Sequence, residues 1–177
     1  MRVVNVVATA DLLQPVDLKL FNANRWGIYD LDIYPAGYVR DGLIQGRVVV
    51  FHSGKMISAG ASSIRSAFGN LTHAKRLLTD AGIAGDVKLS PRVRNIVASL
   101  DIGHTLDLAR VVRSSPDVIY EPEQFPGAML KTKGESISFL VFSSGKVVIA
   151  GAKTMAELKS AAKRIEELDS FLRDGNP

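Results

Sequence analysis

The chain contains the same pattern twice, and this duplication limits its fold more than any other feature of the sequence. The segment RVVNVVA at residues 2–8 recurs as RVRNIVA at 92–98, at an offset of 90. Farther along, FHSGKMISAGA at 51–61 recurs as FSSGKVVIAGA at 142–152, with seven of eleven positions identical and an offset of 91. Two collinear blocks at nearly equal offsets indicate one structural unit that is present twice. We therefore predict two repeats, 1–91 and 92–177.

Each repeat is predicted to be an α+β unit with an antiparallel sheet. Runs rich in β-branched residues flank the Ser-Gly-Lys tripeptides at 53–55 and 144–146, and a short glycine-centred loop between such runs is typical of a hairpin. The predicted elements are a strand, a short amphipathic helix, a turn region containing Tyr and Pro, two hairpin strands and a long helix. The strands and the short helix cover 2–9, 16–23, 47–51 and 56–60 in the first repeat, and 92–99, 106–112, 137–142 and 147–151 in the second.

The long helix that closes each repeat is predicted more clearly in the second repeat. There, Thr154 and Glu157 form a T-x-x-E capping box ahead of apolar residues at three- and four-residue steps. In the first repeat the apolar stripe is retained, but Gly69-Asn70 lies in its middle and costs about 1 kcal/mol of helix propensity. We therefore expect a kink, a break or a late start in the first of these helices.

The composition is globular and mildly basic. Hydrophobic residues make up 46% of the 177 residues and charged residues 23%, and no apolar run approaches the ~18 residues of a spanning helix. The apolar start is short and is interrupted by Asn5, so we interpret it as a strand and not as a signal peptide. The absence of cysteine excludes disulfides and thiolate metal sites and fits a reducing, intracellular setting. The net charge of +4 weakly favours polyanionic partners.

The predicted strands are apolar on both faces, although an antiparallel sheet with helices on one side should alternate apolar and polar residues. In the first strand Val3, Asn5 and Val7 share one face, while Val4 and Val6 lie on the other. The predicted helices are sufficient to cover one face only. The second face is therefore either a binding surface or a surface buried against a dimer partner or the other repeat.

No catalytic or metal-binding pattern is present in the sequence. The Gly-Lys pairs do not complete a phosphate-binding Walker A loop, because Met56 and Val147 follow the lysines. His52, His73 and His104 lack metal-ligand spacing, and no Gly-x-Ser-x-Gly nucleophile motif occurs. We expect neither an enzyme nor a cofactor.

Several strings carry a resemblance to a known family. RNIVAS at 94–99, YEPEQFPG at 120–127 and FSSGKVVIAGAK at 142–153, with weaker counterparts in the first repeat, resemble the TATA-binding protein family and most of all its archaeal members. The resemblance covers about 2–174. It implies a duplicated saddle, in which one curved antiparallel sheet of about ten strands has four helices on its convex side.

The resemblance also implies a function, that of a general transcription initiation factor. The concave face of the sheet would bind and bend AT-rich (TATA-box) promoter DNA through the minor groove, where readout mainly separates A·T from G·C pairs. The protein would recruit transcription factor B and, through it, RNA polymerase. It would act in the archaeal nucleoid, or in the nucleus if the host is a eukaryote.

The DNA-binding residues that the resemblance implies fall into four groups. Wedging aromatics correspond to Phe125, Phe142, Phe51 and Tyr34, where the family usually has phenylalanine at the last position. Groove-floor amide donors correspond to Asn5 and Asn95. Phosphate contacts correspond to Arg40, Lys55, Lys131 and Lys146. The remaining contact surface comprises Val7, Thr9, Val49, Ile57, Ala59, Val97, Ser99, Leu140, Val148 and Ala150, with alanine at two positions where threonine is usual.

The turn at Tyr120–Pro126 corresponds to the family's docking site for transcription factor B. Its implied contacts are Glu121, Glu123 and Gln124, and the first repeat keeps acidic residues at Asp30 and Asp32. One alternative stays open, that of a protein-interaction module with weakened or lost DNA binding. It is motivated by departures in the first repeat at Tyr34, Ala59, Ser62 and Gly69-Asn70. Without DNA, the apolar face is also suited to forming a homodimer.

Overall fold

The computed structural model describes residues 1–114, 116–131 and 134–173. They form two compact units. The first unit is Asn5–Arg94, and the second unit comprises Met1–Val4 together with the described residues from Asn95 onward.

The first unit contains a five-stranded antiparallel sheet. Its strands lie in the order β2-β3-β4-β5-β1, and every pairing between neighbours is antiparallel. A 3-10 helix at Leu18–Ala23 follows the first strand, and α1 at Ile64–Asp80 closes the unit. The strands are β1 (Arg2–Asp11), β2 (Gly27–Ile28), β3 (Ala36–Val39), β4 (Arg47–Phe51) and β5 (Lys55–Ala61).

The second unit repeats this architecture. Its strands lie in the order β6-β10-β9-β8-β7, again antiparallel throughout, and its helices are α2 (Leu108–Ser114) and α3 (Met155–Arg173). The strands are β6 (Arg92–Asp101), β7 (Val118–Ile119), β8 (Gly127–Leu130), β9 (Ser138–Phe142) and β10 (Lys146–Ala152). The prediction of an α+β fold with about ten strands and four helices is confirmed for the described residues.

The continuity of α1 contradicts our expectation of a kink, a break or a late start at Gly69-Asn70. The helix runs without interruption from Ile64, with Ser63 as its N-cap. Asn70 is only 3% exposed, and its amide accepts from the Gln45 backbone N–H at 3.0 Å and donates to the Gln45 carbonyl at 2.7 Å and the Ser58 hydroxyl at 3.1 Å. These tertiary hydrogen bonds compensate for the low helix propensity of asparagine.

The predicted N-terminus of α3 is confirmed, with one difference in its capping. The Glu157 backbone N–H donates to the Thr154 hydroxyl at 3.1 Å, as a capping box requires. The Glu157 carboxylate, however, accepts from the Lys153 backbone N–H at 2.8 Å, one residue before the cap.

The two faces of each sheet differ in exposure, which explains why the strands lack a simple alternation of apolar and polar residues. Helices α1 and α3 pack against β4, β5 and β10 of their own units. Under them, residues such as Val48, Met56 and Val147 are fully buried. Alternate residues on the opposite face remain partly exposed, as in β4, β5, β9 and β10. We call this second surface the open face of each unit. No described helix is long and apolar enough to cross a membrane.

Candidate nucleic-acid interface

A row of side chains crosses all five strands on the open face of the first unit. Strand register places each of the following residues opposite the next: Ile28, Tyr38, Val49, Ile57 and Thr9. Three of them were predicted as DNA contacts, whereas Ile28 and Tyr38 were missed. Both lie in the turn region of the sequence, whose strands of two and four residues carry too little pattern to be recognised.

The second unit has an equivalent row on its own open face. Register there joins Ile119, Met129, Leu140, Val148 and Ser99. Leu140, Val148 and Ser99 were predicted, whereas Ile119 and Met129 were missed for the same reason as their counterparts. The predicted Val7, Ala59, Val97 and Ala150 are partly exposed, and each directly follows a fully buried residue. The open faces are therefore mainly apolar.

Asn5 and Asn95 each hold a β-bulge through one amide atom. The Asn5 Oδ1 accepts from the Gly60 backbone N–H at 2.8 Å, and the Asn95 Oδ1 accepts from Gly151 at 2.9 Å. The register of β5 against β1, and of β10 against β6, shifts at these points. Gly60 and Gly151 have φ of 91° and 100°, a left-handed conformation that favours glycine. The two units thus contain the same bulge, held by the same asparagine–glycine hydrogen bond.

This hydrogen bond fixes the direction of each amide. Since a backbone N–H pairs only with an acceptor, the oxygen must point toward the glycine and the Nδ2 amino group must point elsewhere. Within the described residues, neither Asn5 nor Asn95 donates from Nδ2 to a protein acceptor. Each unit therefore presents a hydrogen-bond donor among apolar side chains on its open face.

Two aromatic pairs lie at corresponding places in the two units. The ring centroids of Phe125 and Phe142 are 5.8 Å apart, and those of Tyr34 and Phe51 are 6.4 Å apart. Phe125 is 43% exposed and Tyr34 is 39% exposed. The same backbone turn holds both, because Phe125 N–H donates to the Glu121 carbonyl at 2.9 Å and Tyr34 N–H donates to the Asp30 carbonyl at 3.0 Å. The sequence-predicted wedges are thus brought together in pairs.

The surroundings of the two aromatic pairs differ. The Tyr34 ring also contacts Tyr38, with centroids 6.0 Å apart, whereas the second unit has Met129 at that place in the row. Gly127 lies directly against the phenylalanine pair, since an added Cβ would lie 2.9 Å from the Phe125 ring and 3.0 Å from the Phe142 ring. A larger residue at position 127 would displace both rings.

The predicted phosphate contacts are exposed cations at strand ends. Lys55 and Lys146 begin β5 and β10, and register places them opposite Asp11 and Asp101. Arg40 and Lys131 directly follow β3 and β8. Among the described residues none of these four cations forms an ion pair, so their charges remain available to an anion.

The turn predicted to bind a partner lies on the surface of the second unit. Glu121, Glu123 and Gln124 are exposed, and the Gln124 N–H donates to the Glu121 carbonyl at 2.9 Å. In the first unit, the Asp30 carboxylate accepts from the Asp32 backbone N–H at 3.0 Å. The acidic groups of the second unit therefore extend toward solvent, whereas Asp30 stabilises its own turn.

Among the residues that the structure describes, no group of three or more His, Cys, Asp or Glu side chains is suited to holding a metal ion.

The chain matches known proteins over both of its repeats. Residues 1–81 and 90–168 match the sequence model of the family described as "Transcription factor TFIID (or TATA-binding protein, TBP)". The TATA-box-binding protein of Cenarchaeum symbiosum is 48% identical over 163 residues, which cover 91% of this chain and 89% of that protein. The TATA-box-binding protein of Aeropyrum pernix is 32% identical, and the match covers 97% of this chain and 87% of that protein.

The solved structure of Methanococcus jannaschii TBP matches the fold. The TM-score is 0.83 at 30% sequence identity, covering 93% of this chain and 94% of the other. Both repeats match the family sequence model, and relatives match nearly the whole chain at 30% identity or more. The chain therefore belongs to the TATA-binding protein family.

Proposed function

We propose that the open faces bind the minor groove of AT-rich promoter DNA, that the aromatic pairs bend the duplex, and that the exposed acidic turn recruits transcription factor B and thereby RNA polymerase. The setting would be the nucleoid of an archaeal cell. Membership in a family of DNA-binding transcription factors supports this general role. The observation that carries the proposal is the pair of asparagine donors, each oriented by a bulge glycine.

An amide donor on an apolar surface suits A·T base pairs. In the minor groove, A·T and T·A pairs present only the acceptors A N3 and T O2, whereas a G·C pair adds the G N2 amino donor. Opposite Asn5 or Asn95, that amino group would meet another donor and leave both unpaired. An unsatisfied buried donor costs about 1–3 kcal/mol, so one G·C pair under either asparagine would weaken binding by roughly tenfold to a hundredfold.

The aromatic pairs support bending by wedge insertion. Phe125 and Tyr34 are partly exposed, and each packs on a second aromatic ring that fixes its position. Unstacking a base step costs a few kcal/mol. Burying a fully exposed phenylalanine side chain contributes about 1.5–3 kcal/mol, and Phe125, which is 43% exposed, gains less than half of that. One ring therefore offsets only part of the cost of one kink, and a pair offsets more of it.

Recruitment rests on the charge and exposure of one turn. Glu121 and Glu123 present two carboxylates to solvent without an ion pair among the described residues. A partner surface with complementary basic groups would be steered toward them. Transcription factor B is the partner that the family resemblance supplies for this turn.

The alternative function is a protein-interaction module without DNA binding. Two of the departures that favoured it, Ser62 and Asn70, are explained by the fold. Ser62 donates from its backbone N–H and its hydroxyl to the Gln45 amide oxygen, each at 3.1 Å, and Asn70 bonds to the Gln45 backbone. These departures build a hydrogen-bonded network beneath α1 and do not alter the open face. Tyr34 and Ala59 remain as departures on that face.

One experiment tests both binding and bending. A duplex with a fluorescence donor and acceptor at its two ends reports binding by anisotropy and bending by energy transfer. We expect salt-dependent binding to a TATA duplex, weaker binding to a GC-rich duplex, and increased transfer on the former only. Phe142→Ala should lower the energy transfer by a larger fraction than it lowers the free energy of unfolding, because its ring is needed on the DNA side.

A matched substitution separates wedging from packing. Phe68 is partly exposed on α1, on the helix side of the first unit, so Phe68→Ala should reduce stability without changing DNA bending. Equal affinity for the two duplexes would contradict the proposed function. Unchanged bending by Phe142→Ala, with stability reduced, would assign Phe142 to the core instead.

A further inference from the structure

Two arginines lie opposite each other at one end of the first unit's open face. The register of β3 against β4 pairs Tyr38 with Val49 and Val39 with Val48, so the next residues outward are Arg40 and Arg47. The Arg40 backbone N–H donates to the Trp26 carbonyl at 2.7 Å, which keeps this residue in line with the sheet beyond the end of β3. Arg47 alternates with the buried Val48 and therefore lies on the same face as Val49 and Phe51.

Neither guanidinium is neutralised by a carboxylate in the part of the chain that the structure describes. Arg40 and Arg47 are both exposed, and neither takes part in an ion pair. Asp41 is adjacent, but its carboxylate accepts from the Leu43 backbone N–H at 3.0 Å and contacts His73 Nε2 at 2.8 Å. Like charges directly opposite each other in a sheet are destabilising. An anion between the two arginines would remove that repulsion.

The two arginines border an open concavity of about 930 Å³, which is also lined by Ile28, Tyr38, Asp41, Gly42 and Gly46. Tyr38 and Ile28 belong to the row on the open face. The concavity is therefore continuous with the surface that we propose binds DNA, and it offers two guanidinium groups where that surface ends.

We propose that Arg40 and Arg47 together clamp one backbone phosphate of the bound DNA. This inference rests on the proposed function and adds Arg47, which family resemblance does not mark as a contact. Guanidinium groups bind phosphate oxygens in a bidentate manner, which makes two facing arginines well suited to one phosphate. A phosphate brings the negative charge that the pair lacks within the protein.

The second unit lacks this clamp. Its register pairs Leu130 with Phe139, so Lys131 and Ser138 occupy the equivalent positions. A lysine and a hydroxyl offer one charge where the first unit offers two. The first unit therefore holds the DNA backbone at this place more strongly than the second.

The salt dependence of affinity tests the clamp. Each phosphate contact contributes about −0.9 to the slope of log K against log salt concentration. Because Arg40 and Arg47 share one phosphate, Arg47→Ser, which copies the second unit, should weaken binding to a TATA duplex by about tenfold with little change of slope. Only Arg40→Ser/Arg47→Ser should also reduce the magnitude of the slope by about 0.9. Ser138→Arg should strengthen binding in the second unit. Arg65→Ser, which removes an exposed arginine from α1 on the helix side, should leave affinity and slope unchanged and controls for net charge.

A scan with neutral methylphosphonate linkages identifies the phosphate itself. Among the positions where a neutral linkage weakens wild-type binding, one should weaken it by about tenfold for the wild type and by less for Arg47→Ser, since the two changes remove part of the same contact. Full additivity at every position, or an affinity of Arg47→Ser equal to that of the wild type, would overturn the clamp. Equal wild-type affinity for TATA and GC-rich duplexes would instead sink the proposed function itself.

Discussion

At the scale of single residues, each asparagine of the open faces uses one amide atom to hold the fold and leaves the other available to a ligand. Oδ1 of Asn5 and of Asn95 accepts from a bulge glycine, while Nδ2 remains a donor on the open face. A change that keeps the acceptor and removes the donor should therefore spare the fold and damage DNA binding.

Aspartate makes that change with almost the same shape. In Asn95→Asp a carboxylate oxygen still accepts from the Gly151 N–H, but the second oxygen places a negative charge where the groove offers acceptors. We expect binding to a TATA duplex to weaken by about a hundredfold or more, since a buried donor is lost and a charge is left unpaired. Anisotropy titrations measure the binding, and calorimetry should show a thermal midpoint close to that of the wild type.

Two further variants make this result interpretable. Asn5→Asp should behave in the same way, because the first unit contains the same bulge. Thr72→Asp adds an equal charge on the exposed side of α1 and should bind almost as the wild type does. If Asn95→Asp bound normally while remaining folded, the asparagine would serve only the bulge.

The repeated asparagine was recognisable from the sequence, but its hydrogen-bond partner was not. Gly60 lies 55 positions from Asn5, and no local pattern connects them. Asn70 is the opposite case, in which local propensity predicted a defect in α1. Its partner Gln45 lies 25 positions away, and that tertiary contact decides the outcome.

At the scale of elements, hairpins and long helices were predictable because their signals are local. The hairpins β4–β5 and β9–β10 surround glycine-centred turns, and α3 carries its own cap. The short strands β2, β3, β7 and β8 were not resolved individually, since pairing with a neighbouring strand and not sequence pattern defines them. Their absence from the prediction is why Ile28, Tyr38, Ile119 and Met129, which lie in the two open-face rows, were not among the predicted residues.

The Asp41 carboxylate holds the start of the loop that joins β3 to β4, while Asn70 holds Gln45 farther along it. The Leu43 N–H first and the His73 ring second hold the pKa of Asp41 below its usual value of 3.8, with Arg25 adding to the effect. A carboxyl whose pKa is lower in the folded state stabilises that state above the unfolded pKa. The stabilisation is lost as the pH falls through the folded value. The loop lies between Arg40 and Arg47, so it also positions the proposed clamp.

This gives a pH-dependent prediction for the loop. Between pH 5 and 7, taken as roughly the range in which carboxylates stay ionised, the amides of 41–46 should exchange more slowly in the wild type than in Asp41→Asn. The difference should shrink as the pH falls below 3.8, the ordinary value for this group. Hydrogen exchange read by mass spectrometry measures it at matched pH, with the hairpin at 144–146 as an internal reference. A difference that stayed constant down to pH 2, about the bottom of the range for carboxyl groups, would contradict it.

At the scale of the whole molecule, two units of one architecture present unequal surfaces. The first carries Tyr34, Tyr38 and two facing arginines, and the second carries Phe125, Met129 and a single lysine with Ser138. The differences lie on the open faces and at their ends, so they bear on how DNA is held and not on how each unit folds. What both units share is an apolar surface that remains exposed to water in the absence of a ligand.

That shared property leads to a prediction for the DNA-free protein. An exposed apolar surface of this kind favours self-association, so we expect a homodimer through the open faces that DNA dissociates. Analytical ultracentrifugation should show dimers that increase with protein concentration, and a 1:1 complex once TATA duplex is added. Val148→Lys on the open face should abolish dimers and DNA bending together, whereas Met155→Lys, exposed at the start of α3, should preserve both.

Salt distinguishes this dimer from the DNA complex, because the two depend on the same cations in opposite ways. In a dimer the cations of both copies would border the associating faces, so their mutual repulsion is screened as salt rises and the dimer strengthens. These cations are Arg40, Arg47, Lys55 and Lys146. The same groups contact phosphate in the complex, so rising salt weakens DNA binding. Titrating salt at fixed protein and DNA concentrations should therefore convert the complex into dimer. Monomers at every salt and protein concentration would show that the open faces do not associate with each other.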